Sequence, residues 1–439
     1  MRHLVLVAAV LAAACGHGND PAKSGPGSAA PIAATTPRPT PPPPPALPAA
    51  APPDPGASAS ATPAPTPTPA PSADAAPEGH DFTPEALALL AVGACGDVAP
   101  PAGFDPKVLA EHCEVIKKTQ TDYTDKWLKV ATPFFAEHVP PTVPKKVVYP
   151  FAGGDLSTAL TVYPDADEIT TISLEPAGDP RTLATLQGED LEHALDKIEY
   201  ELKFLYRVNF SNTMNMIDAM RAGLLPTQLV FGLSAIKLHG YEVVSLRYFK
   251  LEKDGAIHYL TDAEVAAAPD AVKAKAEKRN FVFANAELRF RKPGGRTQIW
   301  RHIRANLGNE DGSGIGPGLK ADPRVVKHLE QKGQIAAMTK AASYLLSWES
   351  FSIMRNYLID HVQWMVSDAT GVAPKWGKPA GFEYETYGGF QLPHIEAGHG
   401  IAKDWRDEFA SEPKRELKFR FGYYDKHATN HLVIMRRKS

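Results

Sequence analysis

The chain has 439 residues, with 47 basic and 50 acidic side chains that give a formal net charge of −3. This balance, with no basic stripe interleaved with aromatic residues, excludes nucleic acid as an expected partner. Beyond the first residues no apolar run approaches 18 residues, so the sequence predicts no transmembrane helix and a folded part outside the bilayer.

The first 14 residues have the pattern of a bacterial signal peptide. The basic start Met1–His3 precedes an apolar run of eleven residues, Leu4–Ala14. As a helix this run would be roughly 16 Å long, about half of a bilayer core, which suits a targeting segment rather than a membrane span. Residues 1–14 are therefore predicted to be removed.

The segment Ala12–Cys15 resembles the lipobox of bacterial lipoproteins. That family prefers Leu three places before the cysteine, whereas here Leu11 lies one place further upstream. The resemblance implies that Cys15 is acylated with palmitate-type chains and becomes the new N-terminus. Each buried methylene of a lipid chain contributes about 0.8 kcal/mol, so two or three chains anchor a protein firmly. Gly16, in place of Asp, implies the outer membrane. An ordinary secretory cleavage site with a coincidental cysteine is the alternative.

Residues 15–80 read as a disordered tether. Asn19–Gly79 consists largely of Pro, Ala, Ser and Thr and includes the proline run Pro41–Pro45. Such a stretch buries too little apolar surface to offset the entropy of ordering. In an extended polyproline conformation, about 60 residues would span at most roughly 190 Å. A spacer role is favoured over a binding role for the prolines.

Residues 81–439 are predicted to form one folded unit that begins with a helical extension at 81–140. Thr83-Pro84 opens a helix to about Ala94, and Asp105-Pro106 opens a longer one toward Val130. Cys95 and Cys113 flank the intervening loop. In an oxidising compartment they are expected to form a disulfide worth about 3 kcal/mol, with two separate thiols as the alternative.

A strand–turn–helix–strand pattern follows the extension. Strands at Lys146–Phe151 and Ile169–Leu174 flank the glycine turn Gly153-Gly154-Asp155 and a helix at Leu156–Val162, and Glu175 closes the second strand. This is the order of a nucleotide-binding half, with an acid about 20 residues past the glycines.

Several features weaken that interpretation. The complete G-x-G-x-x-G motif is absent, Pro150 interrupts the end of the first strand, and Asp155 at the helix start would repel a phosphate. In layout the segment also resembles Rossmann-like methyltransferases, which keep an acid after their second strand. Nucleotides and S-adenosylmethionine are not expected outside the cytoplasm, so no cofactor is predicted.

The remaining pattern mixes helices with antiparallel hairpins. Predicted helices are Glu189–Tyr206, Thr213–Arg221, Pro226–His239, Asp262–Lys278 and one from Ser350–Arg355 to about Val366. Predicted hairpins pair Glu242–Leu251 with Ala256–Leu260, Phe281–Lys292 with Thr297–Leu307, and Leu417–Tyr424 with His431–Arg437.

No motif predicts a metal site. The glycine loop Asn309–Gly318 lacks the spacing and terminal Glu of an EF-hand, so a mobile loop is favoured there. The histidine clusters lack H-E-x-x-H spacing; they are His394, Glu396 and His399, and His427 with His431.

Three motifs resemble those of an uncharacterised family of bacterial exported proteins. They are Tyr149–Asp155 (YPFAGGD), Leu174–Pro176 (LEP) and the KAASYL-like segment within Met338–Leu345. The resemblance spans most of the folded region and implies no activity. It directs attention to one set of candidate pocket residues, which comprises Gly153, Gly154, Asp155, Glu175, Lys340, Ser343, Arg355 and Asp368.

Two interpretations of these residues stay open. In an enzyme, Lys340 would activate the Ser343 hydroxyl, with Asp155 or Asp368 as acid or base. In a structural role, which is favoured, Ser350 or Ser352 caps a helix, and Lys340 and Arg355 hold carboxylates.

The pattern as a whole predicts an α/β, Rossmann-like mixed sheet with helices on both faces, added antiparallel hairpins and the helical extension. An α+β fold is the alternative. The expected function is a lipid-anchored cell-envelope protein whose extracytoplasmic domain binds an envelope protein or a small molecule. An enzyme on a methyltransferase-like core, with its cleft at Gly153-Gly154 and Glu175, is the second hypothesis.

Replacing Cys15 with Ala is expected to release the protein from the membrane, because the thioether-linked lipid has no other attachment site in this pattern. Detergent phase partitioning would move the variant to the aqueous phase, while the tether control Ser24→Ala stays in the detergent phase. Retention of Cys15→Ala in the detergent phase would show that the lipobox assignment is wrong.

Overall fold

A computed structural model describes residues 78–208, 225–269, 281–312, 316–390, 401–422 and 430–438. Five sequence predictions lie outside these residues: the signal peptide at 1–14, acylation of Cys15, the tether up to residue 77, the helix Thr213–Arg221 and the histidine clusters except His431.

Ten strands form one mixed sheet in the order β4-β3-β5-β6-β2-β1-β7-β8-β10-β9. The strands are β1 Lys146–Pro150, β2 Glu168–Ser173, β3 Glu242–Leu251, β4 Ile257–Tyr259, β5 Asn285–Arg291, β6 Thr297–Arg304, β7 Ile335–Thr339, β8 Val362–Ser367, β9 Phe382–Gly388 and β10 His431–Arg437. The five central strands, β6-β2-β1-β7-β8, are parallel, and every other pairing is antiparallel. The predicted α/β mixed sheet with added hairpins is therefore confirmed over the α+β alternative.

Helices cover both faces of this sheet. They are α1 Thr83–Val92, α2 Pro106–Tyr123, α3 Lys129–His138, α4 Leu156–Val162, α5 Gly188–Val208, α6 Thr227–Leu238, α7 Asp262–Ala266, α8 Arg324–Glu330, α9 Ser352–His361, α10 Pro374–Gly377 and α11 Ile401–Ser411. A hydrophobic cluster lies on each face of the sheet. One cluster includes residues of helices α1 to α6, and the other includes residues of α8 to α11. Alternate residues of β1 supply both clusters: Val147 and Tyr149 join the first, and Val148 joins the second.

The second helix of the extension continues past its predicted end, although the extension as a whole keeps the predicted bounds. Asp105 caps α2 by accepting a hydrogen bond from the Lys107 amide at 2.8 Å. The helix does not end near Val130 but passes through a π-helical turn at Thr124–Leu128 into α3. Trp127 fixes this turn, since its indole donates to the Arg420 carbonyl at 2.6 Å and packs on the first hydrophobic cluster.

Two predictions for the C-terminal third are wrong. The predicted helix to Val366 ends at His361, because the run Val362–Ser367 is buried between β7 and β10 and pairs as strand β8. The predicted hairpin between Leu417–Tyr424 and His431–Arg437 does not form. Strand β10 instead pairs with β8 and β9, which come from distant parts of the chain.

A buried ionic ladder crosses the sheet and joins the hairpins to the parallel core. Arg301 of β6 pairs with Glu168 of β2 and donates to Glu287 of β5 at 2.7 Å, and Glu168 also pairs with Lys332. Burial alone would raise the pKa of Glu168, but the charges of Lys332 and Arg301 hold it well below its usual range. Glu287 is one of the polar residues that alternate with apolar residues along β5, yet it is only 1% exposed. The ladder explains this burial, because Arg301 pairs with its carboxylate.

Among the described residues, no helix is long and apolar enough to cross a membrane.

A disulfide joins Cys95 to Cys113. Cys95 lies at the start of the loop between α1 and α2, and Cys113 lies within α2. Replacing either cysteine with Ser is expected to lower the free energy of unfolding by about 3 kcal/mol, because the closed loop restricts the unfolded chain. Denaturant unfolding at equilibrium measures this loss. Reduction of the wild type is the control and should give a similar loss; an unchanged midpoint in both cases would contradict the prediction.

Candidate functional site

The strand order of the parallel sheet reverses at β1. Strand β2 pairs with one side of β1, and β7 pairs with the other side. In open α/β sheets, ligands bind beyond the carboxyl ends of the strands at such a switch point. The segments that follow β1 and β7 therefore define the first place to look. They contain Gly153, Gly154 and Asp155 on one side and Lys340 and Ser343 on the other.

Strained backbone is concentrated at this point. Among the described residues, five that are not glycine have positive φ, and four of them follow β1 or β7: Phe151 (59°), Ala341 (52°), Ser343 (48°) and Tyr344 (55°). Such conformations are costly for residues with a side chain and persist where the surroundings impose them. At Ala341, the backbone amide donates to the buried Asp368 carboxylate at 2.9 Å.

Asp155 belongs to the fold's own hydrogen-bonding rather than to an open site. Its carboxylate caps α4, accepting from the Thr158 amide at 3.3 Å and hydroxyl at 2.8 Å, and it also accepts from the Tyr149 hydroxyl at 3.2 Å. It forms an ion pair with Lys340. Asp155 is 3% exposed, so these partners replace water around it.

Lys340, in the turn after β7, is the other partner of this ion pair. Its ammonium group donates to the Thr158 hydroxyl at 2.8 Å, and the residue is 3% exposed. Burial lowers the pKa of Lys340, although the charge of Asp155 opposes this shift. A lysine enclosed in this way has no route to a substrate, which fits the favoured structural interpretation.

Asp368 secures the same turn from the neighbouring strand β8. It accepts from the Ala341 amide and the Thr370 amide, each at 2.9 Å, and is fully buried. A Cβ at Gly422 would come within 2.3 Å of the Asp368 carboxylate, so the chain closes tightly over it. Asp155, Lys340 and Asp368 thus form one buried cluster, here named the switch-point cluster.

Ser343 lies in the long turn between β7 and α9, and Arg355 lies in α9. Arg355 donates to the Leu346 and Trp348 carbonyls at 3.1 and 3.2 Å and to Glu349 at 2.8 Å, which holds the long turn before α9. The predicted serine cap of α9 is replaced by Asn309, whose carbonyl oxygen accepts from the Ile353 amide at 3.2 Å.

The glycine turn itself is covered by the protein. A Cβ at Gly154 would lie 2.1 Å from the ring of Phe231, so helix α6 packs directly against the turn. The Thr158 amide at the start of α4 already bonds to Asp155. The two features that would hold a phosphate, an open glycine turn and free helix amides, are therefore both occupied.

Glu175, like Asp155, is buried and lines neither of the two cavities described below. It is fully buried beyond the end of β2, where its carbonyl accepts from the His302 ring at 2.8 Å. Its charge acts on Arg304, at the end of β6. The cleft expected at Gly153-Gly154 and Glu175 is not open, because Phe231 of α6 covers Gly154 and Glu175 is fully buried.

An open cavity occurs further along the same edge of the sheet, and no sequence motif predicts it. It measures about 280 Å³ and lies where β3 and β6 end and β5 begins. Its lining includes Lys250, Arg304 and Arg324, with Asp322 as its acidic residue. These residues lie in separate segments of the chain, so only the strand order brings them together.

A second opening, over β9 and β10, is lined mainly by charged side chains that pair with one another. Lys378 pairs with Glu408, and Arg415 lies 3.2 Å from Glu385. Paired charges at a surface offer little to a ligand, so this opening is the weaker candidate.

In the part of the chain that the structure describes, no three His, Cys, Asp or Glu side chains are arranged to hold a metal ion. His431 accepts a hydrogen bond from the Ala369 amide at 3.0 Å and is buried. Asn309 caps α9 rather than facing a cation.

Comparisons with protein-family models, curated proteins and solved structures gave no match. The geometry of the described residues therefore carries the functional argument.

The ion pair between Asp155 and Lys340 is expected to depend on both partners. Asp155→Asn or Lys340→Met alone should lower the free energy of unfolding by about 3–5 kcal/mol, because each leaves a buried charge without its partner. The double variant should lose less than the sum of the two single losses.

Denaturant unfolding of the four proteins tests this cycle. Lys126→Met, which breaks the exposed pair with Asp122, is the matched control and should cost less than about 1 kcal/mol. Strictly additive losses would show that the two side chains do not stabilise each other.

Proposed function

We propose that this protein is a lipid-anchored cell-envelope protein whose extracytoplasmic domain binds a small molecule without catalysing a reaction. The observation that carries the proposal is the contrast along one edge of the sheet. The switch point, where an enzyme of this fold class would work, is filled by the chain's own side chains, whereas an open cavity lies beside β6.

The buried cluster supports a non-catalytic role. A catalytic acid, base or nucleophile must reach the substrate, but Asp155, Lys340 and Asp368 are each at most 3% exposed. Their hydrogen bonds run to other groups of the fold, as expected for residues that fix a turn.

The N-terminal pattern supports the envelope location. The signal-like segment, Cys15 and the proline-rich stretch would hold the folded unit at a distance from a membrane. The disulfide between Cys95 and Cys113 suits an oxidising compartment.

A second candidate, an enzyme on a methyltransferase-like core, is favoured by one specific observation. The order β6-β2-β1-β7-β8-β10-β9, with only β10 antiparallel among these seven strands, has the layout of a Rossmann-like methyltransferase sheet. Fold alone does not imply activity, and the covered glycine turn argues against cofactor binding.

Thermal unfolding of the detergent-purified full chain distinguishes the two candidates. S-adenosylmethionine, NAD and ATP are expected to leave the unfolding temperature unchanged, whereas one class in a panel of organic acids, amino acids and sugars should raise it. A ligand at 100 times its Kd stabilises the folded state by about 2.7 kcal/mol.

Methyl transfer from S-adenosylmethionine that is lost in Glu175→Gln but kept in the exposed-residue control Glu192→Gln would establish the enzyme and refute the proposal. Stabilisation by no member of the panel would remove the support for small-molecule binding.

A further inference from the structure

We infer that helix α8 and the turn between β3 and β4 form a latch that is closed at neutral pH and weakened by acid, with His328 as the group that takes up the proton. Such a latch goes beyond the proposed binding function and is independent of it. No sequence motif predicts the contacts that build it.

The latch is built from four side chains of α8 and its C-terminal end, which donate to four backbone carbonyls of the hairpin. These hydrogen bonds join Arg324 to Leu251 at 3.2 Å, Lys327 to Lys253 at 3.0 Å, His328 to Gly255 at 3.0 Å and Gln331 to Asp254 at 3.0 Å. Only the His328 bond is fully buried. A Cβ at Gly255, where φ is 88°, would lie 2.4 Å from the His328 amide nitrogen, so the backbone of the turn packs directly on α8.

The latch also borders the open cavity. Leu251 of β3 and Val325 of α8 both line that cavity. The contacts between α8 and the turn therefore hold two of its walls together.

The bond to Gly255 fixes which nitrogen of His328 carries the hydrogen. A carbonyl oxygen only accepts, so Nδ1 carries the hydrogen of the neutral ring and Nε2 keeps its lone pair. Nε2 is buried, and no residue in the part of the chain that the structure describes makes a hydrogen bond to it. A proton taken up by His328 therefore enters at Nε2, in a place that offers it no acceptor.

The charges around the ring also oppose a proton. Burial, followed by the charges of Lys332 and Arg301, lowers the pKa of His328 to about 4. Glu168 of β2 acts in the opposite direction, but its carboxylate is already paired with both of these cations.

The other elements packed on α8 direct their polar groups elsewhere. In the turn, the Asp254 carboxylate accepts from the Ala256 amide at 3.0 Å, and the side chain of Lys253 is exposed. In α9, the Tyr357 hydroxyl donates to the Leu329 carbonyl at 3.1 Å.

These surroundings set the sign and the range of the pH effect. In the unfolded chain His328 has the ordinary histidine pKa of 6.5, so the unfolded chain takes up the proton before the folded chain does. The stabilisation that the neutral ring provides is present in full above pH 6.5 and is lost as the pH falls from 6.5 to 4. Between pH 7 and pH 5 the loss corresponds to about a 20-fold change in the unfolding equilibrium constant.

Urea unfolding of the detergent-purified full chain at pH 7 and pH 5 isolates the contribution of His328. His328→Asn keeps a side-chain N–H for the Gly255 carbonyl but takes up no proton. The change in its unfolding equilibrium constant between the two pH values should therefore be smaller than in the wild type, by about 10- to 20-fold.

The difference between two proteins is needed because burial also lowers the pKa values of His239 and His302 to about 4. His193→Asn, at an exposed position of α5, is the matched control and should follow the wild type.

Hydrogen exchange of the wild type locates the effect and needs no variant to fold. After correction for the intrinsic exchange rate, peptides that contain the β3–β4 turn and α8 should lose more protection between pH 7 and pH 5 than peptides from the central strands β1 and β7. The physical reason is that protonation of His328 breaks the buried contact at Gly255 first.

Two results would overturn the inference. Equal pH dependence in the wild type and in His328→Asn would show that His328 is not the group that takes up the proton. A uniform loss of protection across the sheet would show that acid unfolds the whole domain and that no separate latch exists.

Discussion

The ion pair between Asp155 and Lys340 is the constraint on which the centre of this structure depends. It joins the turn after β1 to the turn after β7, across the point where the strand order reverses. Because both groups are buried, each needs the other and the hydrogen bonds around Thr158 to offset the loss of water. Asp368 then holds the backbone of the same turn through the Ala341 amide.

This arrangement explains why the switch point is not an open cleft. The strained backbone at Phe151, Ala341, Ser343 and Tyr344 is typical of functional sites, yet here it follows the two strands whose ends hold the buried switch-point cluster. Phe231 of α6 lies against Gly154 and covers the glycine turn. The strand order is thus one that is common in enzymes, but the switch point is buried. The open cavity lies instead at the end of β6.

The ionic ladder stabilises the side of the sheet that carries the antiparallel hairpins, as the switch-point cluster stabilises its centre. Glu168, Arg301 and Glu287 link β2, β6 and β5 through side chains that are all largely buried. The ladder ties the inserted hairpins to the parallel core and so fixes the positions of the strand ends that form the cavity. The same strands therefore determine both the stability of the sheet and the shape of the cavity.

The sequence by itself determined the local elements and their chemistry. Helix α4 and strands β1 and β3 were predictable because glycine turns, apolar runs and period-2 alternation act over short distances. Only the tertiary structure decided the partner of Lys340, the strand at Val362–Ser367, the position of β10 between β8 and β9, and the cavity at Arg304. Each depends on which distant segments the sheet places side by side, and no local pattern encodes that pairing.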